Sequence, residues 1–217
     1  MEILYADEHL VVCVKPAGMN CEADGSETDL LQALREQTGA EGLLVHRLDK
    51  ATGGVMVVAK TPEAAAALSA QIQQNVMHKT YRAVVFGALP PEDTWEDLLF
   101  RDARKNKSYV VQRERKGVKK AKLAYRVSGQ SLLPDGRAVS FVEVTLFTGR
   151  THQIRVQFSS RQHPLLGDEK YGGRLQADCP LALWSTKLTF FHPVSGEKMT
   201  FCREPADFFP WNLFAGA

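Results

Sequence analysis

Cysteine is scarce in this sequence, and no C-x-x-C pair occurs. The four cysteines also lack a histidine at the spacing of a zinc ligand set, so neither a disulfide framework nor a metal site is indicated. We therefore expect reduced, mostly buried thiols in a cytoplasmic protein, with no bound metal. The cysteines are Cys13, Cys21, Cys179 and Cys202.

Long hydrophobic runs are absent as well, and no stretch approaches the roughly 20 apolar residues of a membrane-spanning helix. The opening residues, MEILYADEHLVV, have no basic region ahead of a long apolar core, so no signal peptide is predicted. With 217 residues, of which 44% are hydrophobic and 24% charged, the chain has an ordinary globular composition. We expect no membrane segment and a monomer.

The net charge is small, +2, but it is unevenly distributed. Between Arg101 and Arg126, eleven basic residues are opposed only by Asp102 and Glu114, so this segment carries about +9 and the remainder about −7. The segment contains two β-rich pieces, "SYVVQ" and "KKAKLAYRVSG". They predict a basic hairpin near 101–126 whose positive charge suits phosphate groups.

The apolar pattern predicts interspersed strands and helices. "EHLVVCVKPAG" indicates a buried strand and a turn, and "TDLLQALREQTGA" a short helix with Thr28 as its cap and Gly39 as its end. "TPEAAAALSAQIQQNVM" predicts a helix with Thr61 as N-cap and Pro62 in the first position. Because hairpins outnumber strict βαβ units, we predict an α+β fold with a mixed, mostly antiparallel central sheet flanked by helices and loops.

The stretch "LLVHRLDKATGGVMVVAK" places His46, Arg47 and Asp49 in a loop that runs into a β-rich segment. Loops held by a rigid scaffold frequently carry catalytic groups, which makes Asp49 a candidate. In the simplest interpretation, however, Asp49 pairs with Arg47 or Lys50, and His46 is a semi-buried structural histidine. From these residues alone, both interpretations stay open.

Three other classes of site fit this loop poorly. A protein kinase would have H-R-D-L-x-x-x-N, whereas the order here is H-R-L-D and no such asparagine follows. A metal site through His46 and Asp49 would need the distant His152 or His163 as a third ligand. A serine hydrolase would need a G-x-S-x-G elbow, which does not occur.

Two further motifs carry candidate residues. In "TGRTHQIRVQF", Arg155 follows His152 by three positions, so both side chains should share one helix face. Apolar neighbours indicate a buried helix, and an inward Arg155 then requires a carboxylate, for which Asp49 is available. In "HKTYRAVV", Tyr81 begins a predicted strand, as an ordinary strand aromatic or as a stacking surface for a base.

Taken together, these motifs resemble the RluA-type pseudouridine synthases. "HRLDKATGG", "KTYRAVV", "TGRTHQIRVQF", "HPLLGDEKYGG" and "LWSTKLTFFHP" occur in that family's order and approximate spacing, after an opening strand with a K-P-x-G turn. The resemblance extends from Glu2 to about Cys202. It implies a catalytic domain, residues 1–217, with the pseudouridine synthase fold, which isomerises specific uridines in structured RNA without metal or organic cofactor.

The resemblance also assigns roles to individual residues. Asp49 matches the catalytic aspartate, and Arg155 matches the arginine that pairs with it. Tyr81 matches a tyrosine stacked on the target uracil, and Arg47 an arginine that fills the space left by the extruded nucleotide. His46 matches a position with a structural role. Whether Asp49 attacks the base, attacks the anomeric carbon or abstracts a ribose proton stays open.

RNA contacts are expected from the basic segment and from the loop before the helix, because binding to phosphates requires cations. Ribosomal RNA is the favoured substrate and transfer RNA an alternative. A non-catalytic RNA-binding module is the competing hypothesis, and a nucleoside or glycoside hydrolase a weaker one. No segment matches the small N-terminal RNA-binding domain of many relatives. The predicted RNA-binding residues are Arg47, Lys105, Lys107, Lys119, Lys120, Arg150 and His152.

The sequence departs from the family pattern at two places. Thr52-Gly53-Gly54 stands where the family usually has T-S-G, so a serine side chain is missing. Leu183-Trp184 stands in the usual A-L-H motif, so a histidine is missing. We expect the first change to loosen the loop after Asp49, and the second to alter local packing or an RNA contact.

Overall fold

The computed structural model describes residues 1–22, 29–173 and 179–214, and it divides into two compact units. The first unit contains Met1–Lys79 and Trp184–Pro205, and the second contains Thr80–Leu183 and Ala206–Ala217. Within the described ranges, no helix is long and apolar enough to cross a membrane.

Over the described residues, the two units contain eleven strands, three α-helices and one 3-10 helix. In chain order they are β1 (Glu2–Ala6), β2 (Leu10–Lys15), α1 (Leu30–Thr38), β3 (Leu43–Leu44), β4 (Gly53–Ala59), α2 (Pro62–Gln73), β5 (His78–Phe86), β6 (Glu92–Asp102), β7 (Lys107–Val111), β8 (Val118–Leu132), β9 (Ala138–Leu146), α3 (Gln153–Ser160), β10 (Leu183–Phe191), β11 (Lys198–Cys202) and the 3-10 helix Trp211–Phe214.

In the first unit, β2 and β4 form the centre of a mixed sheet. β4 pairs antiparallel with β2 and β3 and parallel with β10, while β1 pairs antiparallel with β2 and β11 with β10. Both central strands are buried at every position, which explains their continuous apolar sequences. Ala64 and Leu68 of α2 share a core with Val57 and Phe190. This core anchors the strand that follows the Asp49 loop.

In the second unit, α3 packs against an antiparallel sheet in which β8 lies between β9 and β6. Trp95 of β6, Tyr125 of β8 and Phe158 of α3 form an aromatic cluster with ring centroids 4.7 to 5.6 Å apart. Phe158 is fully buried. Because such rings bury large apolar areas, the cluster fixes the helix that carries Arg155.

The predicted basic hairpin is wrong in its strand pairing. β7 and β8 each pair with β6 and not with each other. The sequence gives β6 little signal, because "EDTWEDLLFRD" is acidic and follows two prolines. Its acids lie opposite bases of β8: Lys122 Nζ is 2.5 Å from Glu96 Oε1, and Arg126 Nη2 is 3.3 Å from Glu92 Oε2. A preceding acidic strand therefore neutralises part of the basic segment.

The α+β class and the mixed, mostly antiparallel sheet are confirmed. α2 begins as predicted, with the Thr61 hydroxyl accepting a hydrogen bond from Ala64 N at 3.2 Å. α1 ends at Gly39 in the left-handed region, with φ of 69°. Its predicted cap, Thr28, lies outside the described residues, and Asp29 is the N-cap.

The cysteines follow the prediction only in part. Cys13 and Cys21 are buried, Cys179 is half-buried and Cys202 is exposed, all as free thiols. In residues 1–22, 29–173 and 179–214, no group of three or more His, Cys, Asp or Glu side chains could hold a metal ion. The absence of a metal stays a prediction.

Candidate active site

Asp49 lies in the loop between β3 and β4 of the first unit, and a buried lysine ties this loop to the turn after β2. The ammonium group of Lys15 donates to the carbonyl oxygens of Pro16, Met19 and Lys50 at 3.0, 2.7 and 3.2 Å. Burial lowers the pKa of Lys15 to about 8, and the Asp49 carboxylate is among the groups that oppose this shift. The backbone next to Asp49 is therefore fixed.

His46 and Arg47 occupy the same loop. His46 Nε2 accepts a hydrogen bond from Val57 N at 3.3 Å, which joins the loop to β4. Burial, with a smaller contribution from Lys79, lowers the pKa of His46 well below its usual value, so its ring is neutral. Arg47 is exposed and forms a 3.2 Å ion pair with Glu22, which contributes little to stability at the surface. This geometry supports a structural role for His46.

The two departures from the family pattern lie opposite each other. Trp184 of β10 pairs with Gly53 of β4 in the parallel ladder. A Cβ atom at Gly53 would lie 2.4 Å from Trp184 Cζ3 and 3.0 Å from Ala17 N, so no side chain fits beside this indole. Trp184 Nε1 donates to Arg203 O at 2.7 Å, which holds the ring in place. The indole of Trp184 thus occupies the space that a side chain at position 53 would need.

Arg155 is buried in α3 of the second unit, where a carboxylate meets it. Its Nε and Nη2 donate to Oδ2 and Oδ1 of Asp168, both at 2.7 Å, and the two side chains are 10% and 0% exposed. The predicted need for a carboxylate is confirmed, but Asp168 is a partner that the sequence did not indicate. This bidentate geometry fixes the orientation of the guanidinium group.

Tyr171 connects Arg155 with two of the predicted RNA-binding residues. Its ring centroid lies 5.2 Å from Arg155 Cζ and 5.0 Å from Lys107 Nζ. Its hydroxyl is 2.9 Å from His152 Nδ1 and accepts a hydrogen bond from Ser108 N at 2.7 Å. His152, Lys107 and Arg155 therefore gather on one aromatic ring, at the beginning of β7.

The other predicted site residues of the second unit do not contact the Tyr171 ring in the contacts described above. Tyr81 is buried and lies inside β5, three residues after its first residue, so the prediction that it begins the strand is wrong. Arg150 donates from Nε to Lys120 O at 2.9 Å, which fixes the arginine beside β8. The side chains of Lys105, Lys119 and Lys120 are exposed.

Sequence reasoning missed three residues that support the site: Lys15, Asp168 and Tyr171. The last two lie in "HPLLGDEKYGG", whose Gly and Pro residues indicate a loop but whose chemistry depends on contacts with α3 and β7. Lys15 ends an apolar strand, where a lysine is normally expected to reach solvent. Only the carbonyl groups around it show why it is buried.

Comparisons with known proteins identify the family of this chain. The family model described as RNA pseudouridylate synthase matches residues 9–160. The chain is 35% identical to the ribosomal large subunit pseudouridine synthase D of Zymomonas mobilis, over 94% of this chain and 69% of that protein. It is 32% identical to the dual-specificity RNA pseudouridine synthase RluA of Vibrio vulnificus, over 96% of this chain and 84% of that protein.

A solved structure is similar over nearly the whole chain. Human RNA pseudouridylate synthase domain containing 1 matches with a TM-score of 0.81 and 26% identity, over 99% of this chain and 86% of that chain. The chain belongs to the RNA pseudouridylate synthase family, which confirms the resemblance. It spans less than two thirds of several curated relatives, down to 57% of their length.

Replacing Gly53 by serine should destabilise the protein unless Trp184 is also replaced. The added atoms would collide with the indole, and such overpacking costs about 1–3 kcal/mol. We expect Gly53→Ser to lower the urea midpoint and the G53S/W184H double variant to regain most of that loss, with Trp184→His as the matched single variant. A double variant as unstable as the sum of both single variants would refute the coupling.

His46 should make stability depend on pH. Because its pKa is lower in the folded chain than the usual 6.5, the unfolded state binds an additional proton below that pH. The free energy of unfolding should be at its full value above pH 6.5 and fall below it, by up to about 1.4 kcal/mol per pH unit. His46→Gln, which can still accept from Val57 N, should lack this slope down to about pH 5. An unchanged slope would contradict the assignment.

Removing the Asp168 carboxylate alone should destabilise the folded protein more than replacing the whole Arg155–Asp168 ion pair. Asp168→Asn leaves the Arg155 cation buried with weaker compensation, and breaking a buried pair costs about 3–5 kcal/mol. The double variant R155M/D168L replaces both groups by apolar side chains and should unfold at a higher denaturant concentration than Asp168→Asn. Equal stability of wild type and Asp168→Asn would show that the pair contributes nothing.

Proposed function

We propose that this protein isomerises uridine to pseudouridine in RNA, and that Asp49 reacts with the target nucleotide. The observation that carries the proposal is the family match over residues 9–160, a range that contains Asp49, Tyr81 and Arg155. A non-catalytic RNA-binding module is not favoured, because the relatives are named as synthases.

The reaction sets clear chemical demands. The bond between ribose carbon 1′ and uracil nitrogen 1 must break and carbon 1′ must join uracil carbon 5. The proton on carbon 5 must leave, and nitrogen 1 must gain one. A carboxylate beside the sugar and base can act as nucleophile or stabilise a developing cation, and this is the role we assign to Asp49. The hydrogen bonds of Lys15 support this role, because they hold the adjacent backbone in one position.

Two further residues, Arg155 and Tyr81, belong to the proposed catalytic set. Arg155 supplies the positive charge that accompanies the Asp49 carboxylate, and its fixed orientation on Asp168 supports this task. Tyr81 stacks on the target uracil and, directly or through a water molecule, assists the departure of the proton from carbon 5.

RNA binding is the second part of the proposal. A uridine inside a helix or stacked loop must be extruded to be reached, and Arg47 would fill the space that it leaves. Exposed cations bind the phosphates, so affinity should fall steeply with salt. We favour ribosomal RNA over transfer RNA, because several relatives are named for the ribosomal large subunit. We also propose a cytoplasmic location and a monomer. The cations are Lys105, Lys107, Lys119, Lys120 and Arg150, and His152, which is buried against Tyr171, completes the proposed RNA-binding set.

Removing the Asp49 carboxylate should abolish the reaction without abolishing RNA binding. The substrate is a large-subunit ribosomal RNA transcript tritiated at uracil carbon 5, since isomerisation releases this label to water, and a transfer RNA transcript is assayed beside it. We expect Asp49→Ala and Asp49→Asn to slow tritium release by at least about 10³-fold, as for removal of a reacting group. The matched control, Glu41→Gln, removes an exposed carboxylate of the same unit and should keep wild-type activity. Activity in Asp49→Ala would refute the assignment.

A further inference from the structure

Phe147 lies in the turn between β9 and α3, and it is 44% exposed. Hydrogen bonds hold this turn against β8: Phe147 N donates to Lys122 O at 3.1 Å, and Lys122 N donates to Thr148 Oγ1 at 2.9 Å. The buried Gln153 side chain also donates to Lys122 O, at 3.1 Å, and accepts from Arg150 N at 3.0 Å. An exposed aromatic ring is thus presented from a rigid backbone, so little conformational entropy is lost when something binds to it.

One cation lies over this ring, and two more belong to the same turn and to the strand behind it. Lys122 Nζ lies 5.7 Å from the ring centroid of Phe147. Arg150 follows three residues later, and its Nε is anchored on the carbonyl oxygen of Lys120. The Lys120 side chain is 83% exposed. Three positive groups therefore lie on the same turn and on the strand that supports it.

The carboxylates near these cations bind them weakly. Lys120 Nζ is 3.6 Å from Glu114, and Lys122 Nζ pairs with Glu96 while 44% of the lysine side chain stays exposed. Exposed ion pairs contribute little to stability. Both ammonium groups can therefore exchange a carboxylate for a phosphate at small cost.

We propose that Phe147 is a stacking platform for an unpaired nucleobase of the substrate RNA, with the adjoining phosphates bound by Lys120, Lys122 and Arg150. Single-stranded RNA presents a flat base and a charged phosphate at each nucleotide, and an exposed ring bordered by cations matches both. A protein partner would favour a broader apolar surface than one ring among cations. The inference rests on the proposed function and adds a subsite for a nucleotide other than the target uridine.

The test compares two exposed phenylalanines of the second unit. Phe147→Ala should weaken binding of the RNA transcript about tenfold, because stacking on an aromatic side chain contributes about 1–3 kcal/mol per base. Phe147→Trp should retain affinity. The matched control is Phe208→Ala, whose ring is 48% exposed in a different part of the chain and which should bind as wild type does. Binding is measured in the Asp49→Ala background, so that turnover does not alter the RNA.

Salt dependence and abasic RNA identify what the ring contacts. Phe147→Ala should leave the slope of log affinity against log salt unchanged, whereas Lys122→Ala should reduce that slope by about 1. A series of transcripts is made, each lacking one unpaired base near the target uridine. For one of them, loss of the base should weaken binding by the protein with Phe147 but not by the Phe147→Ala variant. That position is the nucleotide that stacks on Phe147.

Three results would overturn the proposal. The first is equal RNA affinity of Phe147→Ala and Phe208→Ala, and the second is a reduced salt slope in Phe147→Ala. The third is that, at every abasic position, removing the base weakens Phe147→Ala binding as much as it weakens binding by the protein with Phe147. Urea midpoints of all variants separate loss of binding from loss of folding. Failure of the proposed function is distinguishable, because the wild-type protein would then release no tritium from either transcript, whatever the binding comparison gives.

Discussion

A cation can be buried only where oxygen atoms replace its water, and each unit of this protein contains such a cation. In the first unit, Lys15 is fully buried and donates to three carbonyl groups, which joins the turn after β2 to the Asp49 loop. In the second unit, Arg155 is buried in α3, and Asp168 reaches it from the following loop. The course of both loops is therefore set by the need to satisfy a buried charge.

Sequence predicted the elements whose determinants lie within a few residues of each other. The start of α2 at Thr61 and the end of α1 at Gly39 are such cases, because caps act locally. β6 could not be predicted in this way, since its acidic side chains become favourable only opposite the bases of β8. The same holds for Asp168, whose partner lies 13 positions earlier.

In the candidate site, too, local features could be predicted from the sequence and contacts between distant residues could not. The motif that contains Asp49 is contiguous in the sequence, as are the other motifs of the resemblance. Their order therefore indicated the family, and the comparisons confirm it. The support of the site is not contiguous. Considered separately, Gly53 predicts a looser loop after Asp49, and Trp184 predicts altered local packing or an altered RNA contact. The two residues are neighbours in the ladder, and the indole occupies the space that a side chain at position 53 would need.

Pairing between acidic β6 and basic β8 also limits what net charge can predict about RNA binding. A segment with about +9 suggests a uniformly cationic surface, yet Glu92 and Glu96 oppose Arg126 and Lys122 across the strands. Phosphates must displace these carboxylates, so although each exchange costs little, the segment attracts RNA less strongly than a charge of about +9 suggests. Discrimination between RNAs then depends more on contacts other than ion pairs with phosphate. Stacking of a base on an exposed ring such as Phe147 is such a contact.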